Sequence, residues 1–159
     1  MLLVTLGTND KNFTRLLDAI HHAMEEGFIH EEVIVQAGYT KYQDDLMDIH
    51  ESFEREEFER LMDEARIIIT HGGVGTIMTA LKKKKKILAA ARLAQYQEHV
   101  NDHQTQLLEA FDERGYLIYM RDLSNLKPYL EQIETFIPKE LESNQEVMVN
   151  YIADWIDNH

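Results

Sequence analysis

The chain of 159 residues contains no cysteine. This absence excludes disulfide bonds and thiolate chemistry, and a reducing compartment is the simplest location for such a chain. Long apolar runs are also missing, because none approaches the roughly 20 residues that a membrane-spanning helix needs. The opening residues, MLLVTLGT, lack the basic segment of a secretory signal peptide. We therefore expect a cytoplasmic protein without a membrane span of its own.

Basic residues are scarce. Lysine and arginine number 16 against 29 acidic residues, which leaves a formal net charge of −13. Such a chain is repelled by phosphate backbones and anionic lipid, so nucleic-acid binding is not expected. The exception is a run of five lysines at 82–86. We interpret it as a helix terminus whose charges complement the helix dipole. The alternatives are a small patch for nucleic acid or lipid headgroups.

Short apolar segments alternate with amphipathic ones along the chain, and hydrophobic residues make up 44% of it. Strands are predicted at 2–7, 32–38, 66–70, 87–91 and 116–120, with a short one near 49–53. Helical periodicity lies between most of them, and a last amphipathic helix is predicted at about 141–157. This alternation is typical of a single α/β domain, here residues 1–159, built as a three-layer sandwich around a mostly parallel sheet.

The segment HGGVGT follows one buried strand and precedes a helix. Gly72, Gly73 and Gly75 allow a ligand to approach the backbone closely. The free amides of the helix N-terminus, together with Thr76, would face an anion bound there. A phosphate or diphosphate is the ligand that this chemistry favours. The alternative is a tight turn without a ligand.

The segment YQEHVNDHQ crowds polar side chains into the loop before another helix. Glu98 and Gln104 are suited to contact ribose or sugar hydroxyls. His99 and His103 have the i, i+4 spacing of a metal pair, but no third ligand accompanies them, so no metal is expected. Asn101 and Gln104 also fit a capping box, which is a purely structural alternative.

A third polar turn, GTND, follows the first strand. Parallel strands point their carboxyl ends to one edge of the sheet, where ligands bind. Gly7 and Thr8 are therefore expected to face the same cleft as HGGVGT. The alternative is that Asn9 or Asp10 caps the next helix.

Taken together, THGGVGTIMTALK and RLAQYQEHVNDHQTQLLEAF resemble the C-terminal domain of family 28 glycosyltransferases. LLVTLGTNDKNFTRLL and VIVQAGYTKY fit the same pattern. The similarity is greatest to the small subunits of two-component transferases of bacterial capsule and exopolysaccharide synthesis, and to the small eukaryotic UDP-GlcNAc transferase subunit. It implies one Rossmann-like half of a GT-B fold. It also implies a UDP-sugar donor, an acceptor saccharide linked to polyprenyl diphosphate, no further cofactor, and a membrane-anchored partner subunit that supplies the acceptor half and recruits the chain to the membrane.

The resemblance also implies residue roles. The diphosphate would be held by His71, Gly72, Gly73, Gly75 and Thr76, with a cationic contact from Arg92. The sugar and ribose side would be shaped by Glu98, His99, Asp102, His103 and Gln104. An inverting transfer needs a general base, for which Asp10 is the candidate unless the partner supplies it.

The chain departs from the family pattern at three places. Thr79 stands where a ribose-binding glutamate is frequent, Lys84-Lys85 where Gly-Lys is usual, and Ala91 where proline is usual. A non-catalytic nucleotide-sugar-binding or regulatory module therefore remains an alternative to an active transferase. The amphipathic tail, which contains Trp155, would bind a partner, form a homodimer contact or pack into the core.

Overall fold

A computed structural model describes residues 1–141. In this part of the chain six strands alternate with five α-helices and one short 3-10 helix. The elements are β1 Leu2–Thr5, α1 Thr14–Glu25, β2 Val33–Gln36, β3 Asp48–His50, α2 Arg55–Glu64, β4 Ile67–His71, α3 Val74–Lys82, β5 Lys86–Ala90, the 3-10 helix Ala94–Tyr96, α4 His103–Glu113, β6 Ile118–Tyr119 and α5 Lys127–Thr135. The helix predicted at 141–157 lies outside the described residues, apart from its first position.

The sheet has the strand order β3-β2-β1-β4-β5-β6, and every described strand pair is parallel. The strand order reverses between β1 and β4, which are hydrogen-bonded neighbours. Such a reversal opens a crevice at the carboxyl ends of the two strands. Thr5 pairs with Thr70 in register, so the residues that follow them, Leu6 to Thr8 and His71 to Gly73, flank this crevice. The predicted α/β sandwich is confirmed.

The two faces of the sheet form separate apolar cores because side chains alternate along each strand. Leu2 and Val4 pack with α1 and α5 on one face. Leu3 and Ile68 pack with α2, α3 and α4 on the other. β1 and β4 are buried along their whole length, which explains their continuous apolar sequences. The result is the three-layer arrangement expected from the sequence.

Two elements differ from the sequence prediction. β3 occupies Asp48–His50 and overlaps the strand predicted near 49–53 only at residues 49 and 50. Helix α5 was not predicted, although Pro128 lies in its first turn, a position where proline is favoured because the missing amide hydrogen has no helical partner there. No helix within residues 1–141 has the length and apolar character needed to cross a bilayer.

The lysine run ends α3 and leads into β5. Lys84 has a φ of 58°, the left-handed conformation that glycine adopts more easily. The neighbouring amines bind acceptors of the chain itself: Lys83 binds Asp63 and Glu59, Lys84 binds Glu140, Lys85 donates to the carbonyl of Ala65, and Lys86 to that of Glu134. These contacts support the helix-terminus interpretation over a free basic patch.

Replacing Lys84 with glycine is expected to raise the free energy of unfolding by about 1 kcal/mol, because the left-handed conformation costs an L-residue roughly 1–2 kcal/mol. The exposed ion pair with Glu140 contributes little. Urea unfolding measures the change. Lys82→Gly, inside α3, is the control and should lose up to about 1 kcal/mol. A loss of stability in Lys84→Gly would contradict the prediction.

Candidate functional site

The crevice between β1 and β4 is built around one imidazole ring. His71 is the last residue of β4. A Cβ atom added to Gly7 or to Gly73 would lie closer than 3 Å to Nε2 of His71. Gly7 also has a φ of 71°. The two turns that the sequence predicted to share a cleft therefore meet, and both lie against the imidazole ring of His71.

His71 is an uncharged, almost fully buried side chain. It is 7% exposed, and its Nδ1 accepts a hydrogen bond from Nε of Arg92 at 3.3 Å. Burial lowers the pKa of His71 to about 3, and the positive charges of Arg92 and His99 act in the same direction. Nε2 has no hydrogen-bond partner among residues 1–141, and it lies beside Gly7 and Gly73.

The buried state of His71 predicts a pH effect on stability. Its pKa of about 3 in the folded protein lies below the usual value of about 6.5. Between these values the unfolded chain binds a proton that the folded chain does not. This group therefore lowers the free energy of unfolding as pH falls from about 6.5 towards 3, by up to about 1.4 kcal/mol per pH unit.

A variant without the imidazole tests this effect. His71→Gln lacks the titrating ring, so the stability advantage of the original protein over the variant should shrink between pH 7 and pH 4. Urea unfolding at several pH values measures both slopes. Equal slopes would show that His71 titrates normally in the folded protein. The carboxylates affect both proteins alike, so the difference isolates the histidine.

The N-terminus of α3 opens onto the same crevice. Gly73 is its N-cap and has extended backbone angles, and no side chain caps the helix. The first turn contains no acidic residue. A Cβ atom on Gly75 would meet nothing within 4 Å, so internal packing does not require glycine there. The helix begins with uncapped amides and positive dipole charge, which is an arrangement that attracts anions.

Arg92 is the central support of the site. It is 1% exposed. Its Nη2 donates to the carbonyl of Leu6 at 2.9 Å, and its Nη1 donates to those of Lys11 at 2.8 Å and Glu98 at 3.3 Å. Burial lowers its pKa to about 10, so it stays charged at neutral pH. Because the guanidinium is inaccessible, the expected cationic contact with a diphosphate is not supported.

Glu98 is likewise an internal residue. It is 3% exposed, and its carboxylate accepts two hydrogen bonds from Arg15, at 2.9 and 3.1 Å, and one from the amide of Leu93. The guanidinium of Arg15 also lies 4.5 Å from the ring centroid of Tyr96. Sequence reasoning missed Arg15, because its partner is 83 positions away. A contact between Glu98 and ribose stays a prediction.

Gln104 joins two of the turns. Its Oε1 accepts hydrogen bonds from the amides of Gly72 at 3.2 Å and Arg92 at 3.0 Å. The suggested capping box is wrong, because Gln104 is buried and Asn101 accepts from the amide of His103 instead. A Cβ atom on Gly72 would lie within 3 Å of Gln104. The close packing of the Gln104 side chain therefore explains why position 72 is a glycine.

The other candidate residues lie around the rim. Asp102 accepts from the amide of Ala94 at 2.8 Å, while His99 and His103 are half-buried. Thr8 and Asp10 are exposed, and Thr76 is half-buried. Within residues 1–141 no three His, Asp or Glu side chains are grouped as metal ligands.

Neither Asn9 nor Asp10 caps the next helix. Asn9 accepts from the amide of Lys11, which closes a local turn. The N-cap of α1 is Phe13, whose amide donates to Thr40. The structural alternative for this turn is therefore wrong as stated.

The sequence profile described as the glycosyltransferase family 28 C-terminal domain matches residues 1–158. The chain belongs to this family. No curated protein matches it. The resemblance inferred from the glycine turn and from YQEHVNDHQ is thereby confirmed at the level of the family.

Solved structures share the fold at low sequence identity. The kitacinnamycin glycotransferase is 14% identical with a TM-score of 0.64, over 99% of this chain and 39% of that one. ALG13 is 17% identical with a TM-score of 0.62, over 98% and 96% of the two chains. The glycosyltransferase SsfS6 of Streptomyces sp. SF2575, solved with thymidine diphosphate, is 17% identical with a TM-score of 0.54, over 99% and 37%. The chain thus has the fold of one Rossmann-like half of the GT-B glycosyltransferases.

Proposed function

We propose that this family 28 domain is the donor-binding, catalytic subunit of a two-component inverting glycosyltransferase. It would move a hexose, galactose or GlcNAc, from a UDP-sugar to a polyprenyl-diphosphate-linked saccharide in exopolysaccharide or capsule synthesis. One observation carries the proposal. The unpartnered Nε2 of His71 and the uncapped N-terminus of α3 converge on the crevice where the strand order reverses.

The chemistry of the crevice fits a diphosphate leaving group. Negative charge develops on the diphosphate as the glycosidic bond to the donor breaks, and fixed dipoles stabilise such charge without reorganisation. The amides of α3 and the edge of His71 supply these dipoles. The nearby guanidinium groups of Arg92 and Arg15 are engaged by the protein itself. The crevice would therefore hold the diphosphate mainly with neutral donors.

The proposal includes a partner subunit. The chain spans 39% and 37% of the kitacinnamycin and SsfS6 enzymes, and its described residues form one Rossmann-like half. A membrane-anchored partner would contribute the acceptor half and recruit the chain to the cytoplasmic face. The general base would be Asp10 or a group of the partner.

Nucleotide binding is the direct test. UDP or a UDP-hexose at about 100 times its dissociation constant should stabilise the fold by about 2.7 kcal/mol, a shift of a few degrees in the unfolding temperature. ADP should stabilise it less. Thermal unfolding with each nucleotide measures the difference. If no uridine nucleotide shifts the transition, the donor assignment is wrong.

The alternative is a binding module that does not catalyse transfer. The exposed, unsupported carboxylate of Asp10 favours it, because no orienting partner holds that group. Transfer of radiolabelled hexose to membrane lipid, with and without the co-expressed partner, separates the two functions. Binding of UDP without any transfer in the reconstituted pair would establish the module.

A further inference from the structure

We propose that Arg92 is a positioning residue that holds His71 in one tautomer, with the ring proton on Nε2. The neutral ring then presents a hydrogen-bond donor to the crevice between Gly7 and Gly73. The inference rests on the proposed function for the identity of the ligand, a nucleoside diphosphate. The tautomer itself is a property of the free protein and can be measured without any ligand.

The first step concerns which ring nitrogen carries the proton. A guanidinium group has only donors, and Nε of Arg92 lies 3.3 Å from Nδ1 of His71 in hydrogen-bonding geometry. Nδ1 must therefore be an unprotonated acceptor. Burial and the charges of Arg92 and His99 oppose the cationic ring. A neutral imidazole has a single N–H group, which leaves Nε2 as the donor.

The second step concerns why Arg92 cannot turn away. Three of its four other N–H groups donate to the carbonyls of Leu6, Lys11 and Glu98, and its own amide binds Gln104. The planar guanidinium moves as one rigid unit. A rotation that released His71 would break hydrogen bonds to turns that follow β1 and β5. The protein thus fixes the position of the N–H group of Arg92 that donates a hydrogen bond to Nδ1 of His71.

The third step concerns the consequence for a ligand. The Nε2–H group lies beside two glycines and has no acceptor among residues 1–141. An acceptor oxygen of a diphosphate would pair with this donor. The other tautomer would turn a lone pair towards those oxygens and repel them. A neutral donor also avoids placing a second buried cation beside Arg92.

The tautomer can be read directly by long-range ¹⁵N–¹H correlation spectra of the protein labelled with ¹⁵N-histidine. His71→Gln assigns the signals of His71. We expect a protonated Nε2 and an unprotonated Nδ1, unchanged from pH 8 to pH 5. A protonated Nδ1, or similar amounts of the two tautomers, would overturn the inference.

Arg92→Lys tests whether Arg92 causes the tautomer preference of His71. A lysine amine keeps the charge but cannot reproduce the guanidinium fork, so the preference for Nε2–H should fall at least tenfold, and the affinity for UDP should fall with it. Arg66→Lys, on the surface, is the matched control and should change neither. An unchanged tautomer in a folded Arg92→Lys protein would also refute the role of Arg92. If that variant does not fold, a protonated Nδ1 in the spectrum of the original protein would still refute the role of Arg92, because Nδ1 could not then accept its hydrogen bond.

The two proposals fail in different ways. A protonated Nε2 whose signal does not respond to UDP would remove the proposed donor site and leave the tautomer intact. UDP binding to a protein in which Nδ1 carries the proton would support the donor site and reject the positioning role of Arg92.

Discussion

Replacing Gly73 with alanine is expected to lower the affinity for UDP at least a hundredfold. The new Cβ atom would lie about 2.5 Å from Nε2 of His71, a distance that real Cβ contacts do not reach. The ring cannot move freely, because Arg92 holds its other side. The methyl group would therefore displace the ring or the first turn of α3, and either movement separates the donors that the diphosphate needs. Isothermal titration with UDP measures the loss.

Alanine substitutions at two other glycines serve as comparisons for this experiment. Gly115→Ala strains a residue with a φ of 80° at the end of α4 and meets only Lys139, at 3.9 Å. It should destabilise the fold by roughly 1 kcal/mol and leave UDP binding unchanged. Gly75→Ala meets no protein atom within 4 Å, and alanine favours a helix, so the free protein should be at least as stable. A weaker UDP affinity in Gly75→Ala would show that the ligand approaches this backbone. Unchanged affinity in Gly73→Ala would contradict the proposed site.

The second large effect is expected in Arg92→Met, which should lose about 3–5 kcal/mol of stability. Methionine keeps an unbranched stem, but it leaves the carbonyls of Leu6, Lys11 and Glu98 without the donors that now satisfy them. Breaking a buried charged network usually costs this much, and the loss is a large fraction of the stability of an ordinary domain. Urea unfolding measures it.

Arg66→Met is the matched control. Arg66 forms ion pairs with Glu31 and Glu134 at 2.9 to 3.0 Å, but it is 44% exposed. Exposed ion pairs contribute about 1 kcal/mol or less, so this variant should lose far less stability than Arg92→Met. Similar losses in the two variants would show that the hydrogen bonds of Arg92 do not support the site as described.

Local patterns were sufficient for most of the fold. The apolar runs of β1 and β4 and the glycine turn after β4 were each visible within a few residues of sequence. The strand β3 was located less well, because its three residues are exposed or half-buried and carry little apolar signal. Helix α5 was not predicted even though Pro128 lies in its first turn, and only Ile133 in it is buried.

By itself the sequence determined the class of fold, the glycine-rich turn that begins α3, and membership of the family. All of these depend on periodicity or on short motifs, which neighbouring residues define. Only the tertiary structure decided which of the candidate polar residues are buried and hydrogen-bonded within the protein itself. Arg92 and Glu98 resemble ligand contacts in sequence, yet their partners, Leu6 and Arg15, lie 86 and 83 positions away. Such pairings arise from the order of the strands, and they leave His71 as the buried side chain with an edge turned to the crevice.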